Sequence, residues 1–114
     1  DELGQCWLNL WVNSLDALRD AWPAGGGIMG LDIHTAPDEV VLSFWDEGPG
    51  VDSEVLARAA DPFFSTKEVG QGTGLGLSFV HQVIDAHGGS VQLESSPGHG
   101  FRVHVHLPTT EGKS

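Results

Sequence analysis

Four glycines stand at alternate positions between residues 70 and 76, and this spacing constrains the chain more than any other feature. They end the run DPFFSTKEVGQGTGLGL over residues 61–77, where two aromatics and a hydroxyl-rich turn precede Lys67. Glycine admits backbone angles that other residues avoid, and it lets N–H groups crowd around a ligand. An apolar, helix-patterned segment follows at once and offers its positive N-terminal end to the same place. The pattern predicts a phosphate-binding loop rather than a plain flexible one.

The overall charge narrows the classes of ligand. The 114 residues include 5 basic and 16 acidic side chains, for a formal net charge of −11. Nucleic-acid binders and proteins of anionic membrane surfaces carry basic surfaces, so both classes are disfavoured. Cys6 is the single cysteine, which excludes an internal disulfide and a cysteine-based metal site. The length suits one domain with one core.

Apolar periodicity and turn residues predict an α+β fold, with helices layered on one face of a mixed sheet. A first helix over residues 3–22 has apolar residues at spacings of three and four. Ser53 is the expected N-cap of a short helix over residues 54–60. A second long helix is expected over residues 75–87, stopped by two glycines. Strands are expected over residues 28–34, 39–45, 90–95 and 101–107, the last two pairing antiparallel.

Two asparagines on the first helix suggest an oxygen ligand. Asn9 and Asn13 are four residues apart, so they share one helix face. Asparagine is a poor helix former, and Mg²⁺ in nucleotide sites takes one or two protein oxygens besides phosphates and water. The alternative is a pair of ordinary polar surface positions.

A carboxylate at a strand end suggests recognition of a base. Asp46 follows an apolar run and precedes Gly48 and Gly50, so it could accept a hydrogen bond from an exocyclic amino group such as that of adenine. The alternative is a plain strand-exit turn. The glycine spacing fits neither a dinucleotide-binding fingerprint nor a Walker A loop. The tail residues Gly112-Lys113-Ser114 lack the earlier glycine of that loop, because its position is Leu107.

Taken in order, these motifs resemble the N, G1, F and G2 boxes of the catalytic ATP-binding domain of bacterial sensor histidine kinases, most closely the nitrogen-regulation type. The boxes correspond to residues 9–17, 46–50, 61–67 and 72–77. The resemblance implies a Bergerat-type two-layer α/β sandwich and one catalytic domain over residues 1–114.

The resemblance also implies residue roles. Asn13 would coordinate Mg²⁺ with Asn9 beside it, and Asp46 would bind the adenine amino group. Lys67, with Thr66, would serve the terminal phosphate, and Asn9, Asn13 and Lys67 would be the catalytic residues. The full implied nucleotide site is Asn13, Asp46, Gly48, Gly50, Thr66, Lys67, Gly72, Thr73, Gly74, Leu75, Gly76 and Leu77.

The implied reaction transfers the γ-phosphoryl group of ATP to a histidine on a separate dimerisation domain. The resemblance further implies a cytoplasmic domain, a homodimeric parent protein and a downstream response regulator. The parent could be membrane-anchored. Two alternatives remain: a nucleotide-binding regulatory module without transfer activity, and an ATPase of the related gyrase and Hsp90 type. Those ATPases carry a catalytic glutamate where this chain has Asn9, which argues against hydrolysis.

Three departures from the family pattern accompany the resemblance. None of the six histidines is followed by an acidic residue, so we expect the phospho-acceptor domain to be absent. The chain starts close to the N box, so an N-terminal strand of the sheet is expected to be missing. Phe101 stands where the family's last hairpin carries a small hydroxyl residue, so one polar contact near the base is expected to be lost.

Overall fold

A computed structural model of the protein describes residues 1–22, 24–59 and 77–109. Within these ranges, three helices and four strands follow one another. They are α1 Glu2–Ala21, β1 Met29–Thr35, β2 Glu39–Asp46, α2 Ser53–Ala59, α3 Ser78–Ala86, β3 Ser90–Ser95 and β4 Phe101–Pro108. The predicted α+β class is confirmed, and strand bounds differ from the predicted ones by one residue at most.

The four strands form one sheet in the order β1-β2-β4-β3. Every pairing among them is antiparallel, including the predicted β3–β4 hairpin. The part of the chain that the structure describes therefore contains an antiparallel sheet where a mixed one was expected. The register places Asp46, the last residue of β2, opposite Phe101 on β4 and Met29 on β1.

The helices pack against one face of this sheet and enclose the core. The buried apolar residues are Cys6, Leu10, Phe44, Ala59, Leu77, Val80, Val83, Ile84, Val103 and Val105. On α1 the buried line is Cys6, Leu10 and Ser14, with a spacing of four residues. Leu15, the apolar residue that directly follows this line, is 41% exposed. The buried face of α1 thus includes a serine, which hydrophobic periodicity alone does not reveal.

Two helix starts differ from the prediction. The carboxylate of Asp52 accepts a hydrogen bond from the Val55 amide at 2.9 Å, and the Asp52 carbonyl accepts one from the Leu56 amide. Asp52 therefore caps α2, and Ser53 is its first helical residue. Helix α3 begins at Ser78 with Leu77 as its cap residue, so Leu77 lies before the helix rather than within it.

None of the helices in these three ranges has both the length and the apolar character needed to cross a membrane.

Candidate functional site

The two predicted asparagines lie along the flank of α1, beside its buried line. Both side chains are half-buried, and the Asn9 amide oxygen accepts a hydrogen bond from the Gln5 amide at 3.5 Å. Asn13 directly precedes Ser14, which is buried on the same helix. Both predicted asparagines therefore belong to the helix that packs against β2.

Asp46 ends β2 and is only 8% exposed. One carboxylate oxygen accepts a hydrogen bond from the Gly48 amide at 2.8 Å, and Ser14 on α1 lies close enough to favour the ionised form of the carboxyl group. A buried carboxylate needs such donors because desolvation disfavours its charge. The structure thus joins Asp46, predicted from the strand-end turn, to the helix that carries Asn13.

Burial is the largest influence on the Asp46 carboxyl group and raises its pKa above the ordinary value of 3.8. The hydrogen bonds from the Gly48 amide and the Ser14 hydroxyl act in the opposite direction, because they stabilise the ionised form. A buried carboxylate with a perturbed pKa at a strand end is typical of a functional position.

The turn after Asp46 is held in place from both sides. The Trp22 indole at the end of α1 donates to the Glu47 carbonyl at 3.3 Å. The Val51 amide donates to the Ser95 hydroxyl at 3.0 Å, and the Gly98 amide donates to the Pro49 carbonyl at 2.8 Å. Helix α1 and the β3–β4 hairpin therefore fix this turn together.

Glycine is required in this turn by close approach. A Cβ at Gly48 would lie 2.8 Å from the Ala17 Cβ and 2.9 Å from a carboxylate oxygen of Asp46. Gly50 has a φ of +72°, and a Cβ there would collide with the Ser96 carbonyl. The two predicted glycines thus let the turn pack against α1 and the hairpin, which brings Asp46 to its position.

Leu77 has its side chain in the core, at 3% exposure, so any contact with a nucleotide would come from its backbone. At the start of α3, the His81 ring lies 3.0 Å from the Ala59 carbonyl and so ties α3 to the end of α2. The other predicted nucleotide-binding residues lie outside the described ranges. They are Thr66, Lys67, Gly72, Thr73, Gly74, Leu75 and Gly76.

A polar cavity of about 400 Å³ lies at the opposite end of β2 from Asp46. Its lining includes Asp38, Glu39 and His106, and the His106 ring is 3.4 Å from a Glu39 carboxylate oxygen. Among the described residues, none of those predicted to bind the nucleotide lines this cavity, so it is separate from Asn13 and Asp46.

The residues at the candidate site fit a magnesium ion that is held mainly by its nucleotide. Within the described ranges, no group of three or more His, Cys, Asp and Glu side chains could hold a metal ion. A single amide oxygen from Asn13 matches the few protein ligands that Mg²⁺ takes when phosphates and water complete its shell.

Sequence comparison decides the family. Residues 1–111 match the family described as histidine kinase-, DNA gyrase B-, and HSP90-like ATPase. The chain belongs to this family. This chain is 34% identical over 111 residues to sporulation kinase E of Bacillus subtilis (strain 168), and the match covers 97% of this chain and 14% of that protein. It is 39% identical over 116 residues to the sensor kinase CckA of Brucella abortus (strain 2308), covering 89% of this chain and 12% of that protein.

Solved structures agree with the sequence comparison. The catalytic domain of histidine kinase ThkA superposes with a TM-score of 0.77 at 29% identity, covering 96% of this chain and 69% of that one. The mycobacterial sensor histidine kinase MprB superposes with a TM-score of 0.73 at 28% identity, covering 94% and 72%. The chain is thus a domain of the histidine kinase catalytic type. It spans about a seventh or less of the length of the two curated relatives.

Proposed function

We propose that this domain binds ATP with Mg²⁺ between α1 and the end of β2, and transfers the γ-phosphoryl group to a histidine on a separate dimerisation domain. The observation that carries the proposal is the buried Asp46 carboxylate, whose turn packs at Gly48 against Ala17 of the helix that also carries Asn13. One junction of the fold then has an acceptor for the adenine amino group and an oxygen ligand for the metal.

In this proposal, one set of residues binds the base of the nucleotide and another binds its phosphates and the metal ion. Asp46 accepts a hydrogen bond from the adenine amino group, and the close-packed turn at Gly48 and Gly50 leaves space for the base. Asn13 holds Mg²⁺, which when bound would neutralise phosphate charge. Thr66, Lys67 and the glycines of residues 70–76 serve the phosphates, with the backbone at Leu77 behind them.

The transfer itself is a displacement at phosphorus. A ring nitrogen of the acceptor histidine bonds to the γ-phosphorus, and the bond between that phosphorus and the bridging oxygen breaks. ADP leaves with the bonding electrons, and the displaced ring proton goes to solvent. Asn9 has no basic group with which to activate water, so the domain transfers the phosphoryl group to the histidine rather than hydrolysing ATP.

The partners of the parent protein belong to the same proposal. A histidine-bearing domain must meet this one, and a response regulator would take the phosphoryl group onward. The parent would be a cytoplasmic-facing homodimer. The relatives named as kinases support this assignment because the match covers nearly the whole of the ATPase-family domain.

The metal role of Asn13 is tested by calorimetric titration with ATP, with and without Mg²⁺. We expect Asn13→Ala to remove most of the Mg²⁺-dependent gain in affinity. Gln92→Ala is the matched control, because it removes an exposed amide on the far face of the sheet and should leave binding unchanged. Equal Mg²⁺ dependence in the wild type and Asn13→Ala would contradict the role of Asn13.

The transfer is tested by mixing the domain and labelled ATP with a separately supplied histidine-bearing dimerisation domain. Acid-labile label on that domain is the expected result. ATP binding without transfer to any acceptor would favour a regulatory nucleotide-binding module. Steady phosphate release without an acceptor would favour the ATPase alternative.

A further inference from the structure

Phe101 is an aromatic residue that the strand register places beside the predicted base acceptor. It is the first residue of β4 and pairs directly with Asp46, the last residue of β2. Directly opposed residues of an antiparallel pair project to the same face of the sheet, with their Cβ atoms about 4.5–5.5 Å apart. A ligand that meets the Asp46 carboxylate therefore comes close to the Phe101 side chain.

Both side chains lie on the face of the sheet that the helices cover. Phe101, Val103 and Val105 are two residues apart along β4, so they share one face, and both valines are core residues. Asp46 shares a face with Phe44, the core residue two places before it on β2. Phe101 packs against this core but is only half-buried. Part of its ring is thus open at the end of the sheet where Asp46 stands.

The hairpin turn brings the Phe101 ring to Asp46. A Cβ at Gly100 would collide with the Asp46 carbonyl, so the backbone just before Phe101 lies against the backbone of Asp46. The Ser95 hydroxyl donates to the Gly100 carbonyl at 2.6 Å and accepts a hydrogen bond from the Val51 amide at 3.0 Å. The contacts that fix the turn after Asp46 therefore also fix the position of Phe101.

Two residues flank Asp46 across the sheet, and Phe101 suits a base better than the other, Met29 on β1. A flat, rigid ring offers a flat base a surface for stacking, whereas methionine is flexible and adapts to many shapes. The carboxylate contacts only an amino group, so by itself it accepts any base that carries one. An aromatic ring adds a contact that grows with the surface of the base.

We propose that Phe101 is a specificity-determining residue, whose ring contacts the base that Asp46 holds by its amino group and so favours a two-ring aminopurine over a one-ring aminopyrimidine. This role rests on the proposed function for the presence of a base at Asp46. Phe101 is also where the sequence departs from the family pattern, so the polar contact expected to be lost there is replaced by an aromatic one.

ATP and CTP separate this contact from recognition of the amino group, because adenine and cytosine both carry an exocyclic amino group but differ in ring size. Their affinities are measured by calorimetric titration with Mg²⁺ for the wild type, Phe101→Leu and Phe101→Tyr. We expect Phe101→Leu to weaken ATP about tenfold, the usual scale of one lost stacking contact, and CTP less, so that the preference for ATP falls. Phe101→Tyr keeps the ring and should keep the preference.

Leu107→Ala is the matched control. Leu107 is a half-buried apolar residue on the same face of β4, and it pairs with Val40 at the other end of β2 from Asp46. Its loss should leave the ratio of the two affinities unchanged. Equal weakening of ATP and CTP by Phe101→Leu would show a purely structural role, and tighter ATP binding would show that the ring obstructs the base. Either result would overturn the inference, and so would a loss of preference in Met29→Ala instead.

A second measurement needs no triphosphate. Adenosine carries the base without phosphates, so it tests the base site apart from Mg²⁺ and from the residues proposed to bind phosphate. We expect nuclear Overhauser effects between the Phe101 ring protons and the H2 or H8 proton of bound adenosine. If they appear but no phosphoryl group is transferred from ATP, the proposed function alone fails. Bound adenosine without these effects would overturn the role of Phe101, and no binding of adenosine or ATP would overturn both.

Discussion

The carboxyl group of Asp46 is subject to two opposing influences. Burial disfavours its charge, and the hydrogen bonds from Gly48 and Ser14 favour it. Because burial is the larger influence, the folded protein binds a proton at this site more readily than the unfolded chain does. Ionising Asp46 therefore costs stability, and that cost would be recovered only when a ligand amino group meets the carboxylate.

We predict that Asp46→Asn is more stable than the wild type at neutral pH and fails to bind ATP. The amide keeps an oxygen for the Gly48 N–H but has no charge to desolvate. Because the pKa of Asp46 is raised in the folded protein, the wild type becomes less stable relative to Asp46→Asn as the pH rises from 3.8 through the folded pKa. Urea unfolding from pH 3 to 7 would measure the difference. A difference in unfolding free energy between the two proteins that narrows with rising pH would contradict the prediction.

Among the elements, the turn over residues 46–50 depends on its neighbours more than on its own sequence. Its bonds run to Trp22 of α1, to Ser95 at the end of β3 and to Gly98 of the hairpin turn. Ser95 also donates to the Gly100 carbonyl at 2.6 Å. The hairpin is therefore a structural support for the candidate site as well as the edge of the sheet.

Two glycines with a positive φ allow the packing of the turn against the hairpin to be tested separately from backbone strain. Gly50 has a φ of +72° and Gly98 a φ of +82°, but a Cβ at Gly50 would meet the hairpin backbone while one at Gly98 would meet nothing within 4 Å. We predict that Gly98→Ala costs about 1 kcal/mol of unfolding free energy, from the left-handed backbone alone. Gly50→Ala should cost at least twice that and also weaken ATP binding. Equal losses in the two variants, measured by urea denaturation, would contradict the proposed packing.

At the scale of the whole molecule, aromatic packing joins the helix layer to the sheet. Phe44 on β2 stacks with Trp7 at a centroid distance of 5.6 Å and meets Trp11 edge-on at the same distance. Both tryptophans lie on α1, so one sheet residue anchors the helix that carries the asparagines. Such aromatic pairs stabilise beyond their buried area.

We predict that Phe44→Ala destabilises the domain by about 3–5 kcal/mol, because it opens a cavity between the layers. The control is Ile33→Ala, on the same face of the sheet but 58% exposed, which should cost less than about 1 kcal/mol. Tryptophan fluorescence would follow unfolding in both, and it should shift to longer wavelength in folded Phe44→Ala. A cost for Phe44→Ala no larger than that for Ile33→Ala would show that the layers are held elsewhere.

The sequence by itself determined the α+β class, the order of the elements and the family. Periodicity, turn residues and four ordered motifs are local signals, which can be recognised without knowing how distant segments pack. It also singled out Asn13 and Asp46 as candidate site residues, through an asparagine pair on one helix face and a carboxylate before a glycine-rich turn, and their roles stay predictions. The predicted roles of residues 61–76 rest on the motifs alone, since the described ranges omit them.

Only the tertiary structure decided which residues meet. The sheet is antiparallel among the described strands, Asp52 rather than Ser53 caps α2, and α1 buries a serine. These outcomes depend on contacts between segments far apart in the chain, which no local pattern records. Spacing places Ser14 four residues after Leu10, but its burial beside a strand that lies far away in the chain follows from the packing of α1 on the sheet. Burial is a property of the fold, because it depends on which segments meet.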